Sequence, residues 1–527
     1  LSLSLQINRL DTLIDRLVVA FSMAGATKVS RSASPWPRRM AVAALVLAVA
    51  GGLVVRWLGT TDRTWLPPLC ACCSVGCPEV VYEGGSMTDA RFKPLKAMLR
   101  RLVEDGVFPG GRVAVTHQGE LVADFVASTA QACMRPGTHE LVPFTETDMA
   151  VVFSSGKAME ALAVGWLVDR GYLHWEDRLG DVWPAFACNG KEHITLVQFM
   201  RHEADLAWFN ETVPTVAQLG TPALTEIVAN MRHNHITTDG SRPRRAYHGF
   251  TRGVILSEIA KQVDPKKRTL GQILEQEFVQ PMGFSRDTDL RQTGLDEERE
   301  AHLAAQSCLT LLNPKWPLTA RILLGPLGLA PPLKGMSALA MGMFADPDSV
   351  LNRMVHHGPV FGEFVGGLED VMKLGLNTAE FRSKEVSSAG TFAKANTMAA
   401  LMALMTPTGQ WHGQTLLSRA FRDMALANAT VNADTVDHTR PINMTNAGYF
   451  DLDKLMCAEL GLDCTAWPDQ LRVVGWVGMG GSMMVASRTH DWSFAFNMPA
   501  FYDSLASVTQ QHVDMLHLLH QILARSE

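Results

Sequence analysis

Val152-Phe153-Ser154-Ser155-Gly156-Lys157-Ala158-Met159 is the stretch on which the reading of this chain turns. It sets a serine and a lysine three residues apart at the head of an apolar run, Ala158 to Tyr172, that carries Leu162, Ala163, Val164, Trp166, Leu167 and Val168. A run apolar on nearly all faces predicts a helix inside a large domain. Positions i and i+3 share a helix face, so the Lys157 amine lies beside the Ser154 hydroxyl. Burial favours the neutral amine, the base that an unactivated serine needs. Ser154 itself falls at the helix N-terminus, where backbone N–H groups and the positive end of the dipole face any oxyanion that forms. Alone the pattern is weak: roughly one match arises by chance in a chain this long, and an isolated match reads as an N-cap serine with a solvated lysine.

The flanking sequence decides between these readings. The S-x-x-K tetrad is that of penicillin-binding proteins and serine β-lactamases. From Phe153 through Leu167-Val168-Asp169-Arg170-Gly171, Trp183-Pro184-Ala185-Phe186 and Asn189-Gly190-Lys191-Glu192-His193-Ile194-Thr195, the chain resembles the serine β-lactamase-related family. That family includes class C β-lactamases, family VIII carboxylesterases and the mitochondrial serine β-lactamase-like protein. In Arg201-His202-Glu203-Ala204-Asp205-Leu206, Asp205 stands where relatives carry glycine, which predicts a different local turn. A second segment, Arg245 to Gly253, resembles the family's catalytic-tyrosine segment around Tyr247, with Gly249 in place of the companion asparagine. A third, Gly475-Trp476-Val477-Gly478-Met479-Gly480-Gly481-Ser482, resembles the strand that bears Lys-Thr-Gly or His-x-Gly, with Trp476 at the Lys or His position. An indole offers an apolar face and one N–H there, in place of a cation for a substrate carboxylate.

The resemblance implies an α/β (α+β) fold of the β-lactamase/penicillin-binding-protein type, an antiparallel sheet flanked by helices with a helical subdomain. It also implies a serine hydrolase acting on a small-molecule ester or amide, esterase-like more than β-lactamase. Ser154 is then the acylated nucleophile, Lys157 its proton acceptor and Tyr247 the proton relay. The backbone N–H groups of Ser154 and Met479 form the oxyanion hole, and Trp476 and Gly478 contact substrate. The rival reading is a catalytically weak scaffold or filament-forming protein that keeps the fold. No cofactor or metal is called for, and no His-x-His-x-Asp-His segment of a metallo-β-lactamase occurs.

Periodicity gives an independent sketch. Asp89 to Glu104 reads as an amphipathic helix, and Arg112 to His117 with Leu121 to Ala127 as a hairpin turned at Gln118-Gly119. After the Trp476 strand come Met483 to Ser487 and Trp492 to Met498, turned near His490-Asp491, then a closing amphipathic helix from Asp503 to Ala524. Strands from both ends are thus expected to form one sheet with the terminal helices on a face.

A chain of 527 residues with 47% hydrophobic and 19% charged residues is long enough for a large buried core, and a net charge of -6 argues against a nucleic-acid partner. Residues 1–39 read as a leader, with Met23 as a candidate start and a basic stretch up to Arg39. Residues 40–58 form an apolar run with one arginine, long enough for a transmembrane anchor, and its charge bias predicts an inside N-terminus. A single-pass membrane protein with a lumenal or extracellular catalytic domain follows; a cleaved signal peptide and a mitochondrial inner-membrane anchor are the alternatives. Residues 59–84 read as a Cys/Pro-rich linker with Cys70, Cys72, Cys73 and Cys77, open to disulfides, palmitate or metal, and residues 85–527 as the hydrolase domain. Nine cysteines leave at least one unpaired. Residues 316–344, nearly uncharged and interrupted by prolines, read as an apolar lid, a membrane-contacting loop or a buried connection. Homo-oligomerisation is compatible with the sequence but not specified by it.

Overall fold

The computed structural model describes residues 78–524 except 137, 139, 211–213, 235–244, 293–306, 309–310, 313–352, 355–377, 428–429, 434–440, 455–456, 458–462, 470 and 502–508. The leader, the apolar run 40–58, the cysteine cluster and the stretch 316–344 therefore lie outside the described residues. Among those described, no helix is long and apolar enough to cross a membrane.

Nine strands make the principal sheet: β1 (Tyr82–Met87), β2 (Gly110–His117), β3 (Glu120–Ser128), β4 (Thr430–Ala433), β5 (Pro441–Met444), β6 (Phe450–Leu452), β7 (Val473–Val477), β8 (Met483–Ser487) and β9 (Trp492–Asn497). Their order is β1-β3-β2-β9-β8-β7-β6-β5-β4, with neighbouring strands antiparallel throughout. The register Phe494↔Val115 and Ala495↔Ala114 joins the two ends of the chain into one sheet, as the periodicity predicts. β1 begins at Tyr82, paired with Ser128, so Tyr82 to Gly84 belong to the sheet rather than to a linker reaching residue 84.

Period-two alternation gives the sheet two unlike faces. Val113, Val115, Met483, Val485, Phe494 and Phe496 pack with Leu95 and Leu99 of helix α1 (Lys93–Glu104) and with Leu516 and Leu519 of the C-terminal helix, Gln510–Ala524. The first of these helices starts later than the predicted Asp89, and the second is described from Gln510. A 3₁₀ turn over Ala90–Phe92, capped by Asp89, precedes α1, and Asp503 lies outside the described residues.

The opposite face is built of smaller side chains, including Ala114, Ala486 and Ala495, which join the larger core together with helices α2 (Gly156–Asp169), α3 (Thr251–Val263) and α4 (Ala395–Ala403). Alanines on both partners let α4 approach closely enough for the Ser493 hydroxyl to donate to Ala399 O at 2.6 Å, and Asn497 Nδ2 donates to Ala393 O at 2.7 Å just ahead of the helix. α2 is buried from Gly156 to Val168, as its lack of a polar face requires.

Two disulfides occur among the described residues. Cys133–Cys308, unforeseen from spacing, spans 175 residues with Cα atoms 5.1 Å apart. It ties the segment Ser307–Cys308 to the core where that segment pairs in parallel with Met149–Val151, directly ahead of Ser154. Cys457–Cys464 joins two cysteines separated by 7 in sequence, and Cys188 is a free thiol.

Candidate active site

Ser154 lies in a single 3₁₀ turn, Phe153–Ser155, that leads into α2. Its neighbour Phe153 holds a φ of 46°, a left-handed conformation that costs an L-residue roughly 1–2 kcal/mol. Burying the phenyl ring in the core contributes about 1.5–3 kcal/mol, enough to hold the turn. Within Val151 to Glu160, Ser154 is the residue that is not fully buried.

The turn hands the hydroxyl to two partners. Tyr247 donates its phenolic O–H to Ser154 Oγ at 2.5 Å, and Lys157 Nζ lies 3.2 Å from the same oxygen. Lys157 Nζ also donates to Gly249 O at 2.8 Å and Ser388 O at 3.0 Å. Burial pushes the Lys157 amine down to about 7, with Glu160 opposing the shift and Arg252 adding to it. A neutral amine has two N–H groups and one lone pair. The two carbonyls take the former, which leaves the lone pair toward Ser154.

The third segment arrives on β7. At Gly478 a Cβ would stand 2.2 Å from Val152 O, 2.3 Å from Ser482 Oγ and 3.2 Å from Ser155 N, so only glycine lets the strand end come this close. Ser482 donates to Val152 O at 2.5 Å and pairs with the Ser155 hydroxyl at 2.9 Å, stitching β7 and β8 to the serine turn. Gly478 N–H is taken by Ser482 O at 2.8 Å, and the next amide is that of half-buried Met479. Ser155 is thus occupied in structure, while Ser154, Tyr247 and Met479 are each partly exposed.

Trp476 sits deeper than a substrate contact. It is 1% exposed, its Nε1–H donates to Gly448 O at 2.9 Å, and its ring lies 6.1 Å from that of Tyr247 and 5.8 Å from Lys157 Nζ. The indole therefore walls Lys157 and Tyr247. Gly249 likewise has a local reason: a Cβ there would meet Met354 Sδ at 2.6 Å, so the methionine fills the space an asparagine side chain would need.

Asp205, at the position where the family resemblance leads one to expect glycine, holds a left-handed turn. Its φ is 48°, and aspartate is among the few residues that enter the left-handed region readily. The turn places His202 to accept from His248 N–H at 2.9 Å, and His248 to accept from Leu206 N–H at 3.0 Å. Burial is the chief cause that holds His202 well below its ordinary value and takes His248 down to about 3, so both rings stay neutral.

Sequence reading missed Glu160, Arg252 and Ser388. The signal was present for the first: an acidic residue one turn beyond Lys157 in an otherwise apolar helix.

Fold and site together define the β-lactamase/penicillin-binding-protein class. The chain belongs to the beta-lactamase family, whose model matches residues 95–510. It is 29% identical over 201 residues to the esterase/beta-lactamase LipL of Mycobacterium tuberculosis, a match covering 38% of this chain and 43%, less than half, of that relative. Among solved structures it is similar to a penicillin-binding protein homolog from Caulobacter crescentus, with a TM-score of 0.59 at 23% identity, covering 84% of this chain and 100% of that one. A family VIII carboxylesterase gives a TM-score of 0.62 at 16% identity with the same coverage. At these identities the two structures bear on the fold.

The close approach at Gly478 yields a test. Gly478→Ala should remain folded by circular dichroism yet react with a fluorophosphonate about tenfold to a hundredfold more slowly, because displacements near 1 Å cost that much in a positioned reaction. An unchanged rate would show that the strand end does not align the serine turn.

Proposed function

We propose that this protein is a serine hydrolase that cleaves an ester or amide through an acyl-enzyme on Ser154. The observation that carries the reading is the convergence of Tyr247 OH and the buried Lys157 amine on Ser154 Oγ. Neutral Lys157 takes the Ser154 proton as Oγ attacks the carbonyl carbon. The resulting oxyanion accepts from the Ser154 and Met479 N–H groups. As the bond to the leaving group breaks, Tyr247 gives its proton to the departing oxygen or nitrogen and regains one from the Lys157 ammonium. Water then attacks the acyl carbon, loses a proton through Tyr247 to Lys157, and the acid leaves as Ser154 Oγ is reprotonated. LipL, named an esterase/beta-lactamase, is consistent with this chemistry.

Neutral substrates fit better than a carboxylate-bearing β-lactam. With Trp476 at the lysine position, its N–H engaged by Gly448 O, β7 offers no cation there, and a charge-assisted bond to a carboxylate contributes about 1.5–3 kcal/mol. Lys157 and Arg252, the cations described above, are buried and engaged.

Membrane attachment through residues 40–58, with the catalytic domain on the oxidising side, is part of the proposal. The charge bias of that run supports it, as do the Cys133–Cys308 and Cys457–Cys464 bonds, since disulfides persist in oxidising compartments.

Four outcomes test this reading. Fluorophosphonate labelling should vanish in Ser154→Ala and persist in Ser155→Ala; equal loss in both, with folding intact, would sink the assignment. The acylation rate should climb as pH rises through about 7 and fall about tenfold per unit below it, because only neutral Lys157 accepts the proton. The same group makes stability rise between about 7 and 10.5, where the unfolded chain binds the proton that the folded protein does not. A flat rate profile across pH 6–8 would remove Lys157 as the base. On alkaline carbonate extraction the full chain should stay with the membrane pellet, and deletion of residues 40–58 should release it; release of the full chain would overturn the anchor.

A further inference from the structure

We propose that the buried Glu160–Arg252 ion pair is a positioning device for the Lys157 amine, fixing the carbonyl that orients Nζ and balancing the charge beside it. The inference rests on the reading of Lys157 as the base for Ser154.

Ser154 in the 3₁₀ turn and Lys157 and Glu160 on α2 succeed one another at three-residue intervals and so share a face. Glu160 and Arg252 both have side chains 0% exposed, with Oε2 and Nε 3.2 Å apart. Oε1 of Glu160 accepts from the hydroxyls of Ser387 at 2.7 Å and Ser388 at 2.6 Å. The Ser388 hydroxyl also accepts from Gly253 N–H at 2.8 Å, on the helix that carries Arg252. Ser388 O is one of the two carbonyls that hold the amine. Glu160 thus reaches Lys157 through one residue whose side chain it grips and whose carbonyl the lysine uses. Gly253 is shaped to this cluster: a Cβ there would stand 2.2 Å from Ser387 Oγ and 2.4 Å from Glu160 Oε1.

Arg252 closes the arrangement on the far side. Its guanidinium lies 5.4 Å from the Trp476 ring centre, and Nη1 is 3.4 Å from His202 Nε2. The groups that face Lys157 are Glu160 on its own helix, Tyr247, His248 and Arg252 on the segment leading into and through α3, His202 on the Asp205 turn, and the Trp476 ring on β7. Both imidazoles are held neutral, and Tyr449, whose hydroxyl faces Ala158 O, is kept as the phenol by burial. The fixed charges beside the amine are therefore those of Glu160 and Arg252. A buried pair so close to the base is electrostatically cancelled only while both members are present.

The experiment measures kcat/KM for a neutral p-nitrophenyl ester against pH on the full chain. Glu160→Gln keeps an acceptor for the two serines but leaves Arg252 uncompensated, so the acid limb should move down by about one pH unit or more; Arg252→Gln leaves Glu160 uncompensated and should move it up by as much. The double variant should return the limb to within a few tenths of wild type, a reversal that loss of packing alone does not produce. Ser388→Ala keeps the carbonyl and removes the Glu160 tether, and should lower kcat about tenfold with KM unchanged; it supplies the answer where a charge-removing variant does not fold. Limbs that stay in place in the folded single variants, or an unchanged kcat in Ser388→Ala, would overturn the proposal. Lys157→Met separates this failure from failure of the underlying reading. If it abolishes acylation, only the role of the pair is lost; if it retains the wild-type rate and limb, the base assignment falls and the proposal with it.

Discussion

Taking one lysine amine out of water is the constraint on which the site depends. Lys157 is fully buried, and that burial makes a neutral amine available near pH 7, where an exposed lysine would be protonated. The cost of hiding the group is met by carbonyls at Gly249 and Ser388 and by Ser154 itself, each from a different part of the chain. A helix with a solvated face could not have done this. α2 is apolar because it is enclosed on all sides, and the enclosure is what lowers the lysine's affinity for its proton.

The sheet supplies the rigid edge against which this helix is set. β9 pairs with β2 across most of the sequence length, so the two ends of the chain close one sheet. β7 then carries Gly478 to the serine turn, and Ser482 fastens the join. Large side chains on one face anchor the terminal helices, whereas alanines on the other admit α4 at close range. The small-residue face is functional in effect, since Ala393 and Ala399 carbonyls bonded from β9 hold α4 in place just beyond the Ser387–Ser388 segment.

Departures from the family pattern are met by local compensation. Asp205 takes a left-handed conformation that aspartate enters readily, which makes the turn beneath His202. Gly249 gives up a side chain that asparagine would offer, and Met354 fills the volume. Trp476 gives up a cation, and its indole becomes a wall of the Lys157 chamber fastened to Gly448.

The sequence by itself determined the elements and the chemistry they carry. Spacing put Lys157 one turn from Ser154, unbroken apolarity made α2 a buried helix, and alternation announced the strands that flank Gly478 and the hairpin of β2 and β3. These signals are local, arising from the helical and strand periods, and short-range patterns preserve them. Tertiary structure alone decided which groups surround the amine. That Ser388 O meets Lys157, that Arg252 meets Glu160 and that Cys133 meets Cys308 depends on contacts between residues 92 to 231 positions apart, which no local period encodes. It also decided that the Trp476 N–H is spent on Gly448 rather than offered to a substrate, because strand register, not residue type, sets where a side chain on β7 points.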